Sequence, residues 1–144
     1  MSQIETALAI ALKAHAGQLD KAGAVYILHP LRIMAKMSND TERAVALLHD
    51  VLEDSSYTAQ DLLEAGISVE VVEAVLALTK EPDGNGLAIA YDSYLIKVKE
   101  NALACIVKLA DLEDNMDLSR LNKVTEKDLK RREKYQKAVT FLKP

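Results

Sequence analysis

The chain is short of cysteine, proline and glycine, with one, three and five in 144 residues. It also has no apolar run near the roughly 20 residues that a membrane span needs. The lone Cys105 excludes an internal disulfide and fits a reducing cytoplasm; within the apolar run 102–110, burial is its default. The N-terminus lacks a basic start followed by a long apolar core, so neither export nor membrane insertion is expected. Positive charge is in deficit too: 18 Lys and Arg against 22 Asp and Glu leave a net charge of -4. That argues against a general nucleic-acid binder, which needs a basic surface to neutralise phosphates.

What remains is 49% apolar and 28% charged residues, the balance of a soluble, largely helical globule. The length fits a single domain, residues 1–144, long enough to bury about two thirds of the surface of the unfolded chain.

Hydrophobic spacing predicts an all-α chain of about seven to eight helices. The first covers 3–16, with Ile4, Leu8, Ala11, Leu12 and His15 at helical spacing and Gly17 as its stop. A loop at 17–27 carries Gln18, Asp20, Lys21 and Tyr26, and loops of that length are often functional. His29-Pro30 opens the second helix, with Pro suited to the first position. The third starts near Thr41, capped by Asn39 or Asp40, and runs through Asp54. A short helix starts at Thr58 and stops at Gly66. Ser68 caps another through Thr79, with Val71, Val72, Val75, Leu76 and Leu78 as core, and a strand is its competing reading. After a polar loop at 81–86, helical pattern resumes over 87–100 and again over 102–110. Thr125 and Asp128 resemble a capping box for a last helix, 125–142, that packs through Tyr135, Ala138, Val139 and Leu142. The eight Lys and Arg of 123–143 read mostly as its solvated face.

The chain is organised around residues 44–54, an apolar helix that abruptly carries His49, Asp50, Glu53 and Asp54. Residues three and four apart share a helix face, so these groups are neighbours. Burying them without a partner would cost more than packing returns, whereas a divalent metal would repay the desolvation. The bland reading is an acidic helix end frayed into solvent. Likewise, His29 alone reads as a structural hydrogen-bonding residue, and Asp111, after the apolar run 102–110, as a helix-end carboxylate. Together, His29, His49, Asp50 and Asp111 offer two imidazoles and two carboxylates. That set suits Mn²⁺, Fe²⁺ or Zn²⁺ better than Ca²⁺ and leaves positions for water and a substrate oxygen.

These residues also carry a resemblance. His15-Ala16-Gly17-Gln18, Lys21-Ala22-Gly23, Tyr26-Ile27-Leu28-His29-Pro30, the run from Leu48-His49-Asp50 to Glu53-Asp54, Thr79-Lys80, Lys108-Leu109-Ala110-Asp111 and Asn115-Met116 follow in order. In this order they resemble the hydrolase domain of the RelA/SpoT family, an HD-superfamily group that includes single-domain small alarmone hydrolases. The resemblance spans residues 5–121. It implies an all-α HD-domain helical bundle and Mn²⁺-dependent removal of the 3′-pyrophosphate from guanosine tetra- or pentaphosphate, (p)ppGpp. It further implies His29, His49, Asp50 and Asp111 as metal ligands and Glu53 and Asp54 as the acidic pair that orders water and assists proton transfer. Tyr26 and Asn115 would lie near the nucleoside and Lys21 close to the substrate. The implied partner is a small-molecule nucleotide, with no nucleic acid and no membrane.

The departures bear on substrate more than on reaction. Asp20, Leu112, Asp114 and Asp117 stand where the family has basic or polar residues, and each removes a cation or adds an anion. A substrate with two diphosphates needs Arg or Lys around it; Lys21, Arg32, Lys80, Lys108 and Arg120 are the candidates to compensate. Two other readings stay open: an HD phosphatase for a nucleoside monophosphate or NADPH, and a non-catalytic nucleotide-binding regulator.

Overall fold

The computed structural model describes residues 1–80 and 90–144. The predicted loop at 81–86 and the start of the helix predicted from 87 lie outside the described residues. Among the described residues there are nine α-helices: α1 Gln3–Ala14, α2 Leu28–Ala35, α3 Asp40–Leu48, α4 Val51–Asp54, α5 Ala59–Glu64, α6 Val69–Leu78, α7 Tyr91–Lys99, α8 Ala102–Met116 and α9 Glu126–Leu142. The only β pairing described is an isolated Leu19–Val25 bridge that closes the loop between α1 and α2.

Polar residues just ahead of the apolar patterns start most of these helices. The side chains of Ser2, Asn39, Thr58, Ser68, Asn101 and Thr125 each accept an amide N–H of the following first turn, and Ser2, Thr58 and Thr125 form reciprocal capping boxes with Glu5, Asp61 and Asp128. α1 ends at Ala14 with His15 as its cap, two residues earlier than predicted, because Gly17 turns the chain at φ +81°. Pro30 is the third residue of α2, not the first; its missing N–H still falls among the unpaired donors of the first turn.

The core is built on α3, whose Ala44–Leu48 segment is fully buried and packs against α1, α2, α6 and α8. On α6 the residues Val71, Val72, Val75 and Leu78 are buried as expected, Leu76 is only partly buried, and the segment is helix rather than strand. On α9, Ala138, Val139 and Leu142 are buried while Tyr135 packs at the core margin. Two expectations fail. Leu12 is 50% exposed because α1 buries the face of Ala7, Ile10 and Ala11, and Cys105 is only partly buried, on the rim of α8 beside the Leu142 carbonyl. No helix among the described residues is long and apolar enough to cross a membrane.

A candidate metal centre between two cavities

The predicted third helix does not run unbroken through Asp54. It stops at Leu48, turns through His49 and Asp50, and restarts as the single turn α4. The cause is local: His49 Nδ1 donates to the Ala46 carbonyl at 2.7 Å, an acceptor the next backbone N–H would use if the helix continued. This bond also fixes the tautomer, leaving Nε2 with its lone pair. His49 is 3% exposed, and Nε2 has no hydrogen-bond partner. It faces Asp50 Oδ2 at 3.0 Å and Asp111 Oδ1 at 3.4 Å. Three lone-pair donors directed at one point repel unless a proton or a cation lies among them.

α2 and α8 complete the cluster. The second residue of α2, His29, sets Nε2 at 2.8 Å from Asp111 Oδ1 and 4.0 Å from Asp50 Oδ2. Asp111 lies well inside α8, not at a helix end, since the helix continues to Met116. His29, His49 and Asp111 are all buried, and each offers a ligand atom within 4.8 Å of the other two. Adjacent donors on an octahedron with bonds of about 2.1 Å are about 3 Å apart, close to the spacings here. The His/Asp cluster therefore fits a divalent metal ion.

Neighbouring groups fix each side chain of the cluster. Asp111 Oδ2 accepts from Lys108 Nζ at 2.9 Å and its Oδ1 from Asn115 Nδ2 at 3.2 Å; the Tyr26 hydroxyl donates to Asp50 Oδ2. Burial opposes the charge on His49, but Asp50 and Asp111 outweigh it and hold the imidazole well above its usual pKa. Burial acts likewise on His29, where hydrogen bonds to Asp111 and Asp114 prevail and raise it. Lys108 and the two imidazoles hold Asp111 well below the carboxylate range, against the burial that would raise it. The cluster thus favours positive charge at its centre, which a divalent ion would supply.

By sequence Asp114 is a departure from the family pattern that adds an anion. In the structure it is the buried partner of His29: its Oδ2 accepts from His29 Nδ1 at 2.6 Å, and Arg32 donates to both of its oxygens at 2.8 and 2.9 Å. A carboxylate behind a histidine fixes the ring and its tautomer and directs Nε2 into the cluster. No local spacing signals this pairing, since His29 and Arg32 lie on α2 and Asp114 on α8.

Glu53 and Asp54 follow one turn beyond the cluster, at its mouth. Glu53 Oε1 accepts the Lys80 backbone amide; desolvation and the Asp50 charge raise its carboxyl above the usual value. Asp54 accepts from Gln18 at 3.2 Å, which in turn bonds His15. Both acids line a polar cavity of about 200 Å³ with His49, Asp50, Asp111, Lys80 and Lys108.

A second cavity, of about 320 Å³, opens on the His29 side and is lined by Leu19, Lys21, Arg32, Leu118, Arg120 and Arg131 among others. Tyr26, Asn115 and Tyr135 line both cavities, so the His/Asp cluster lies where the two meet. Of the predicted substrate residues, Lys21 belongs only to the second cavity, whereas Tyr26 and Asn115 are bonded to Asp50 and Asp111. The other departures are also structural. Asp20 accepts the Ala22 and Ala24 amides, Leu112 is fully buried, and Asp117 accepts from Ser119 and Arg120.

No family model matches the chain. It is 32% identical over 140 residues, 92% of its length, to GTP pyrophosphokinase of Streptomyces coelicolor. It is 34% identical over 125 residues, 81% of its length, to the bifunctional (p)ppGpp synthase/hydrolase SpoT of Escherichia coli. Guanosine-3′,5′-bis(diphosphate) 3′-pyrophosphohydrolase of Vibrio cholerae is 36% identical over 116 residues, 74% of the chain. The chain spans only 16%, 18% and 16% of those three relatives. Its fold is similar to a solved chain described as a metazoan ortholog of SpoT that hydrolyzes ppGpp, with a TM-score of 0.73 at 22% identity, covering 99% of this chain and 85% of that one.

Proposed function

The chain belongs to the HD-type, RelA/SpoT hydrolase-like family, and on that premise we propose that residues 1–144 act as one metal-dependent phosphohydrolase domain removing pyrophosphate from the 3′ position of (p)ppGpp-type nucleotides in the cytoplasm. His29, His49, Asp50 and Asp111 would hold the cation, for which we propose Mn²⁺ because the set mixes imidazole with carboxylate. When bound, such an ion polarises a phosphoryl oxygen and lowers the pKa of water towards neutrality.

The chain's own groups carry the rest. Glu53, with its raised carboxyl, accepts a proton from the attacking water, and Asp54, tied to Gln18, keeps the acidic mouth in register. As the water oxygen bonds phosphorus, the bond from that phosphorus to the 3′ oxygen breaks, the 3′ oxygen takes a proton, and pyrophosphate leaves. Lys80 and Lys108 line the polar cavity and offset charge on the departing group. Tyr26 and Asn115 hold Asp50 and Asp111 in place and border the nucleoside.

The observation that carries this reading is the buried, unpartnered His49 Nε2 facing two carboxylates. The test is Mn²⁺-dependent turnover of guanosine 3′,5′-bis(diphosphate), with pyrophosphate and inorganic phosphate followed separately. Stoichiometric pyrophosphate with GDP supports the reading. Protein that binds Mn²⁺ yet leaves this nucleotide intact would sink it, and release of phosphate alone would favour an HD phosphatase for another nucleotide.

A further inference from the structure

Of the chain's three histidines, His15 alone lies outside the metal cluster, yet it is 3% exposed at the end of α1. A buried imidazole needs its polar atoms answered. Its Nδ1 lies 2.8 Å from Gln18 Oε1, and Gln18 Nε2 lies 3.2 Å from Asp54 Oδ2. His15 Nδ1 itself is 3.9 Å from that carboxylate oxygen, beyond hydrogen-bond range, so Gln18 bridges the two. The bridge is built into the backbone. After Gly17 turns the chain, the Gln18 N–H donates to the His15 carbonyl at 3.0 Å and the Gln18 carbonyl accepts the Tyr26 N–H at 2.8 Å. The His15 ring also packs on Tyr26, with 4.9 Å between centroids, and the Tyr26 hydroxyl donates to Asp50. One buried imidazole thus backs both the side chain bonded to Asp50 and the side chain bonded to Asp54.

Hydrogen-bond sense decides what this arrangement can do. A carboxylate accepts and does not donate, so Gln18 turns its NH2 towards Asp54 and its oxygen towards His15, and His15 carries its proton on Nδ1. Reversing any one member would set two acceptors or two donors against each other. Given the hydrolase reading above, we infer that His15 and Gln18 are positioning residues for the reaction: they hold Asp54 in one orientation as a proton-free acceptor for the attacking water, and Glu53 alone takes the water's proton. The two neighbouring acids then have separate tasks. Asp54 orients the water through a fixed hydrogen-bond chain, whereas Glu53, which accepts only a backbone amide, transfers the proton.

The experiment compares two changes at one position. His15→Phe keeps a ring against Tyr26 and deletes the donor, whereas His15→Asn deletes the ring and keeps a donor, because its amide nitrogen stands as many bonds from Cα as Nδ1 does. Both are made in the full chain and assayed with Mn²⁺ and guanosine 3′,5′-bis(diphosphate). His15→Phe should lower kcat about 10- to 100-fold, the scale of a misplaced group, with KM and Mn²⁺ affinity unchanged, and His15→Asn should recover most of that loss. The order should hold even though urea unfolding finds His15→Asn the less stable of the two. Gln18→Leu should match His15→Phe and have no further effect in an Asp54→Asn background, which shows that it acts through Asp54. In ¹⁵N spectra of the metal-free protein, His15 should be the Nδ1-protonated tautomer. A purely structural His15 gives the reverse order, with activity following stability and His15→Asn the more damaging; that order, or an Nε2-protonated tautomer, overturns the inference. If the parent protein leaves the nucleotide intact, the hydrolase reading fails, and the tautomer still decides the hydrogen-bond chain.

Discussion

The two sides of Tyr26 and Asn115 are built from similar residues and behave oppositely. On the cluster side, the buried His49 Nε2 faces Asp50 and Asp111 without a hydrogen-bond partner, a polar demand left open among the described residues. On the side of the second cavity, Arg32, Arg120 and Arg131 are paired with Asp114, Asp117 and Asp128. Unmet polar demand marks where an external charge belongs, and mutual satisfaction marks where it does not. The count of charged residues says little by itself.

The largest effect expected from breaking this contrast is at His49. His49→Ala removes the unpartnered nitrogen, and both bound metal and turnover should fall below detection, read by metal analysis of the purified protein alongside the assay. Glu53→Gln should keep the metal and lower kcat by about 10² to 10⁴. The same group sets a pH signature. Glu53 must be unprotonated to accept a proton, so activity is lost as pH falls through its pKa. Because that pKa is raised, the loss begins at higher pH than for an ordinary glutamate, and Glu53→Gln should abolish this acidic limb.

Asp114→Asn sharpens the comparison, since Asp114 belongs to both sides. It should weaken metal affinity about 10- to 100-fold by loosening His29, and calorimetry with Mn²⁺ reads this apart from turnover. Asp20→Ala is the smallest: losing the acceptor for two loop amides should cost about 1 kcal/mol in urea unfolding with little change at the metal.

Helix patterning and caps were legible in the sequence because they depend on neighbours three and four residues apart, as at Thr125 with Asp128 and along Val71, Val72, Val75 and Leu78. The break at His49 was not, because it depends on a side chain taking a backbone acceptor within an otherwise uninterrupted helical pattern. His29, His49, Asp50 and Asp111 were chosen as residue types that end or follow apolar segments; that His29 and Asp111 approach to 2.8 Å is a property of α2 packed on α8. Asp114 was misjudged for the same reason. As a substitution it looks like an added negative charge facing substrate, whereas its meaning comes from Arg32 and His29, 82 and 85 positions away in the chain.

The proposed divalent ion belongs at the point where His49 Nε2, His29 Nε2, Asp50 and Asp111 meet. The most direct measurement is anomalous diffraction at the manganese edge from crystals grown with Mn²⁺. The predicted result is one ion about 2.0 to 2.3 Å from all four residues, with both histidines bound through Nε2. An ion held elsewhere, or a His49 bound through Nδ1 with its bond to Ala46 broken, would contradict it.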